Sequence, residues 1–233
     1  MEITPELTTL TVLFFGFLFG LKHAVEADHL AAVTTIVSER KSLFSASIIG
    51  GLWGIGHTIS LFVVGALVIF LKLQISETVE ARLEAIVGGM LVLLGANALY
   101  KLVTAKEIHA HVHEHGSRAH THFHLHKDEK EKSHHRFSPR SVVIGMVHGL
   151  AGSAGLMILG VSAIPSPTVA MFFILIFGIG SIVGMMIMSL LIGLPFHFTA
   201  TNFLFLNKTI RLCAGIFSLG LGSFIIYEKL LQS

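Results

Sequence analysis

Charge is scarce in this chain. Asp, Glu, Lys and Arg make up 13% of its 233 residues, against about a quarter in ordinary soluble domains. Between Arg140 and Lys208 there is none at all, an interval long enough for two bilayer crossings at ~20 residues each. With a mean hydropathy of +0.78, that composition excludes a soluble enzyme or a nucleic-acid binder. Cysteine is nearly absent too: Cys213 stands alone, so no internal disulfide framework is expected. The opening Met-Glu-Ile-Thr-Pro-Glu lacks a basic stretch ahead of the apolar run, and a cleaved signal peptide is not expected. What fills the chain is apolar: 53% hydrophobic residues and a mean hydropathy of +0.78. The composition is that of an all-α polytopic membrane protein.

Apolar runs bounded by charges or turn residues predict six transmembrane helices. They cover Leu7–Ser38, Leu43–Leu71, Leu83–Val103, Val142–Ile164, Thr168–Leu194 and Thr209–Leu231. Pro165 and Pro167 punctuate the fourth connection. If the chain alternates, twelve Lys and Arg fall on one side: Arg40, Lys41, Lys208, Arg211 and the eight from Lys101 to Arg140. The other side has Lys72, Arg82 and Lys229, and Lys22 is left within a span. The basic side is expected in the cytoplasm, which places the protein in the cytoplasmic membrane with both termini outside.

The two halves resemble each other at an offset of about 125 residues. Gly20-Leu-Lys-His23 matches Gly145-Met-Val-His148, and Trp53-Gly-Ile-Gly-His57 matches Phe177-Gly-Ile-Gly-Ser181. Arg82-Leu-Glu-Ala85 matches Arg211-Leu-Cys-Ala214, and Tyr100 falls opposite Tyr227. A three-span unit re-enters the membrane from the opposite side, so the expected plan is an inverted 3+3 repeat. Residues 1–103 form the first unit, 104–139 a histidine-rich cytoplasmic loop without a packed fold, and 140–233 the second unit. The pairs Gly16/Gly20, Gly50/Gly54, Gly145/Gly149 and Gly180/Gly184 have the G-x-x-x-G spacing that lets helix backbones approach.

The most informative stretch is Lys22-His-Ala-Val-Glu-Ala-Asp-His29. Lys22 lies ~22 Å along the helix from Leu7, deep in the hydrocarbon. A charged group there costs at least ~2.5–3.5 kcal/mol and usually marks a pathway or site. The cluster is therefore expected to face the bundle interior. His23, Glu26 and His29 follow at i, i+3 and i+6, whereas Asp28 points about 100° away from His29 on an unbroken helix. Either the helix unwinds locally, or Asp28 orients a histidine from behind. Lys22 and Glu26, at i and i+4, are spaced to pair. Imidazole with carboxylate suits divalent Ni, Co, Zn or Cu better than Ca or Mg. His57 and His148 are the further intramembrane candidates, so the predicted metal residues are His23, Glu26, Asp28, His29, His57 and His148.

His23-x4-Asp28-His29 resembles the His-x4-Asp-His signature of the nickel/cobalt transporter family, and Gly56-His57-Thr58 is similar to its second Gly-His-Ser/Thr motif. Six spans and a histidine-rich loop resemble the short urease-accessory nickel permeases and the related nickel/cobalt exporters. The resemblance implies a permease for Ni²⁺ or Co²⁺, with His23, Asp28, His29 and His57 as transport residues and no resident cofactor. Eight-span members carry aspartates where this chain has Ser153 and Ser189, and Glu26 stands where an aspartate is frequent.

Between the halves, two runs alternate strictly: His109, His111, His113, His115 and then His120, His122, His124, His126, with His134 and His135 beyond. Such tracts bind borderline metals without a packed fold. The expected function is secondary transport of nickel or cobalt, taken as uptake on the closer importer signature. Efflux with proton exchange is the alternative. Its expected partners are the metal, the bilayer, and a cytoplasmic metallochaperone or a second copy. Two rivals from other classes are an intramembrane hydrolase built on Ser153 with His57 as base, and a membrane-tethered metal store. Met185, Met186 and Met188 are expected to be core filler rather than soft ligands.

Overall fold

The computed structural model describes residues 5–38, 42–73, 75–104, 111–115, 118–122, 139–150, 164 and 166–231. Within them the chain forms α1 (Pro5–His23), α2 (Ala27–Val37), α3 (Leu43–Leu71), α4 (Glu77–Thr104), β1 (His111–His115), β2 (Arg118–His122), α5 (Pro139–Gly149), α6 (Pro167–Asn202) and α7 (Leu204–Leu231). Four helices, α3, α4, α6 and α7, are long and apolar enough to cross a membrane. The pair α1 and α2, bent by 55° at a short break, makes a fifth span if counted as one. This is a polytopic helical membrane protein. Large apolar side chains such as Phe14, Phe44, Leu93 and Phe205 face outward, as lipid requires and water would not.

Several expectations are revised here. The first predicted span, Leu7–Ser38, is not continuous: Ala24, Val25 and Glu26 interrupt it, with Glu26 in an extended conformation at the N-cap of α2. The third helix begins at Glu77 rather than Leu83, because the acidic first turn (Glu77, Glu80) suits a helix N-terminus that an apolar-run criterion rejects. The fifth does not stop before Pro195 but runs through it to Asn202. The Asn207 amide donates to the Phe196 carbonyl and the Thr199 hydroxyl, and the Thr199 hydroxyl donates to the Pro195 carbonyl, so the proline turn is held from both sides. The second helix occupies the predicted Leu43–Leu71. Of the fourth predicted span, Val142–Ile164, α5 covers the first part, and residues 151–163 lie outside the described residues. In the connection predicted to have no regular structure, β1 and β2 pair antiparallel, His111 opposite His122 and His113 opposite His120. Strict alternation has the strand period of two, which explains the pairing. Residues 105–110 and 123–138, with His109, His124, His126, His134 and His135, lie outside the described residues.

Glycines set the helix spacing. A Cβ on Gly20 would run into the Phe177 carbonyl of α6, and one on Gly145 into the Trp53 carbonyl of α3. Gly180 abuts Phe17 of α1 just as Gly56 abuts Val142 of α5, and Gly54 abuts Ile182 as Gly178 abuts Thr58. Where α4 meets α7, Gly95 lies against Leu219 and Gly222 against Val92. Thus α1 packs on α6, α5 on α3, α3 on α6, and α4 on α7. Hydroxyls stitch the same seams: Ser60 donates to the Met146 carbonyl, Ser181 to Gly20 and Ser218 to Leu91. Van der Waals contact and such hydrogen bonds hold helices together where no hydrophobic effect operates. Between these seams lies a core of Trp53, Leu61, Leu91, Ile174 and Met185.

Candidate metal centre

The break after His23 builds the site. On a continuous helix His23 and His29 would sit more than a turn apart. The 55° bend brings their rings to 4.3 Å between centroids. Helix α3 adds His57, whose ring stacks on His23 at 5.1 Å, and α5 adds His148, 4.1 Å from His29. All four imidazoles are buried, His29, His57 and His148 completely. Trp53 lies against His29 and His148, and Phe177 against His23, so aromatic walls close the cluster.

Carboxylates determine which ring nitrogens remain available. Carboxylate oxygens accept only, so the imidazole N–H must face them. His29 Nδ1 donates to Asp28 Oδ1 at 3.0 Å, and His148 Nε2 donates to Asp28 Oδ2 at 2.9 Å. The backbone N–H of His29 also donates to Asp28 Oδ1, at 2.8 Å. His23 Nδ1 donates to Glu26 Oε2 at 2.9 Å. These bonds leave His29 Nε2 and His148 Nδ1 as lone pairs, and both are buried without a hydrogen-bond partner. His23 Nε2 and His57 Nε2 lie 3.2 Å apart. That is the spacing of two nitrogens about 2.1 Å from one shared ion. Two sets of ligand atoms lie within 4.8 Å of one another: His23, His29 and His57, and Asp28, His29 and His148.

The predicted residues divide accordingly. His23, Asp28, His29, His57 and His148 come together. Glu26 does not join either set; it is about half exposed and holds His23 from behind. The i,i+4 pairing of Glu26 with Lys22 does not form, and Lys22 is exposed instead of facing the interior: the helix breaks between the two, and Glu26 engages His23. Spacing within the first span could not reveal that Asp28 reaches His148, 120 positions away. Trp53 as the wall of the site was also missed; its only signal was its place in the repeated Trp53-Gly-Ile-Gly-His57 segment. Met185 is buried in the core and Met186 is exposed. Ser153, the hydrolase candidate, lies outside the described residues.

Residues 9–226 match the family model NicO, described as a high-affinity nickel-transport protein. The chain belongs to the NicO family. Among curated proteins it is similar to the urease accessory protein UreH of Bacillus sp. (strain TB-90), 36% identical over 223 residues, covering 96% of this chain and 93% of that protein. It is also similar to the chloroplast proteins FOR GROWTH AND FERTILITY 1 and 2 of Arabidopsis thaliana. They are 28% and 27% identical, over 76% and 94% of this chain, which spans 48% and 57% of those longer proteins. No solved structure matches. NicO membership makes the protein a nickel-family transporter rather than an enzyme, and the hydrolase reading falls away.

Proposed function

We propose that this NicO protein carries Ni²⁺, or Co²⁺, across the cytoplasmic membrane by uptake, through the buried histidine cluster. The observation that carries the reading is the convergence of buried His23, His29 and His57, whose ligand nitrogens lie within 4.8 Å of one another, with His29 Nε2 buried and without a hydrogen-bond partner. In this reading the three Nε2 atoms ligate the ion, Asp28 and Glu26 orient the rings, and His148 with Asp28 forms the next station. Carboxylate-backed histidines are the usual way a protein sets ring tautomer and raises ligand basicity. A divalent ion moving inward through 100 mV gains roughly 4.6 kcal/mol, so uptake runs without a coupling ion, whereas efflux needs proton exchange.

We further read the chain as six spans in an inverted 3+3 repeat, with 1–103 and 140–233 as its units, termini outside, and residues 104–139 in the cytoplasm as a metal-collecting loop. The reciprocal seams support this: exchanging the halves turns Gly20 against Phe177 into Gly145 against Trp53, and Gly95 against Leu219 into Gly222 against Val92. The same exchange turns Phe177 beside His23 into Trp53 beside His148. A binding site between the two copies is the common plan of such transporters.

The deciding experiment is ⁶³Ni flux into proteoliposomes. His23→Ala and His57→Ala are each expected to abolish flux while leaving the protein folded and inserted. Wild-type flux in both variants would end the assignment.

A further inference from the structure

The transport reading above leaves open how an ion reaches the buried histidines, and this inference rests on it. We propose that a cavity of about 250 Å³ between the start of α2, the first turns of α4 and the last turns of α7 is the vestibule for the hydrated dication, with Glu84 as its first protein ligand and Lys229 as the tethered cation it displaces.

Glu26, Ala27 and Asp28 line the cavity on one side, Glu84 and Val87 on the second, and Leu221, Ile225 and Lys229 on the third. Asp28 is the decisive wall. Asp28 lines the cavity, and its carboxylate holds His29 and His148, whose remaining nitrogens are buried and unpartnered. The cavity therefore reaches a residue of the metal centre. Of the lining residues Glu26, Asp28 and Glu84 are acidic and Lys229 is basic, set among the apolar Val87, Leu221 and Ile225, where charge is screened less than on an open surface. Glu84 Oε2 lies 2.7 Å from Lys229 Nζ, and the Lys229 side chain is twice as exposed as Glu84, 36% against 18%. A carboxylate this buried is costly without a counter-ion. The ammonium supplies one when no metal is present, and its flexible stem lets it swing out when a dication arrives. A pair serving only to staple α4 to α7 would need no cavity, and no third acid leading inward.

The two roles separate experimentally, because a staple is lost equally from either end whereas a vestibule responds with opposite signs. In proteoliposomes, ⁶³Ni uptake by Glu84→Gln is expected to show KM raised about three- to tenfold, and by Lys229→Gln KM lowered by a similar factor, with Vmax little changed. Shifts in the same direction, or none, would overturn the vestibule. A separate variant guards against misfolding: Ala27→Cys in a Cys213→Ser background should react with a membrane-impermeant thiol reagent added outside, and nickel should slow the reaction. An unreactive Cys at 27 sinks the proposal whatever Glu84 does. A wild-type chain without flux overturns the transport reading itself, a result neither charge variant can imitate.

Discussion

Asp28 joins segments that the chain separates: one oxygen takes the His29 backbone and ring N–H, the other takes His148 on α5. An amide has only one accepting oxygen, so Asp28→Asn cannot hold both rings in the tautomers that leave His29 Nε2 and His148 Nδ1 free to ligate. Its nickel affinity is expected to fall about 10- to 100-fold, measured by equilibrium binding in detergent, with helix content unchanged. Proton competition sets a second expectation. Imidazole ligates only when neutral, so metal binding releases protons and weakens as pH falls. Titration calorimetry at pH values spanning about 5.5 to 7.5 in two buffers of different ionisation enthalpy should show both the weaker affinity and the released protons. Identical affinity across that range would argue against histidine ligation. The identities of these residues were legible in His23-x4-Asp28-His29. Their division of labour was not, because it depends on which ring nitrogen each carboxylate engages.

Helices in this molecule approach through glycine, and the two kinds of glycine make a sharp comparison. Gly145 and Gly56 sit directly on the backbones of α3 and α5, whereas Gly89 and Gly220 have nothing within 4 Å of where a Cβ would lie. Gly145→Ala and Gly56→Ala are expected to cost about 1–3 kcal/mol through forced separation of α3 and α5. In a thermal-shift assay both should melt several degrees lower, and Gly89→Ala and Gly220→Ala should not. Most of the helices could be read from apolar runs, α3 from end to end. The misreadings fall where that signal is blind. An apolar-run criterion rejects the acidic start of α4, and it treats Pro195 as a stop although the helix runs on through it, with the Thr199 and Asn207 side chains bonded to the Pro195 and Phe196 carbonyls. The break at Ala24–Glu26 is the consequential case. The polar cluster left local unwinding open as one of two alternatives, and the structure takes it, with His23 meeting His57 of α3 and Asp28 meeting His148 of α5.

The glycine seams join α1, α3 and α4 of one half to α5, α6 and α7 of the other, and residues 105–136 supply none of those contacts. Deleting residues 105–136 is therefore expected to leave ⁶³Ni flux at saturating metal within about twofold of wild type, with reduced uptake only at low metal. Loss of all flux would make the loop part of the pathway. Cysteines placed in that loop should be labelled from the cytoplasmic side alone, following the Lys and Arg bias.

Composition alone determined that the chain must live in a bilayer, since 53% hydrophobic residues with 13% charge cannot be covered in water. The Gly and His spacings marked which helix faces come close and which residues are too polar to be there by default. Only the tertiary structure decided that His23, His29, His57 and His148 share one pocket, that Glu26 stands behind it, and that Lys22 stands outside. The reason is geometric. A sequence records the order of groups along one helix, whereas an ion samples directions in space, and a single bend of 55° reassigns those directions for every residue beyond it.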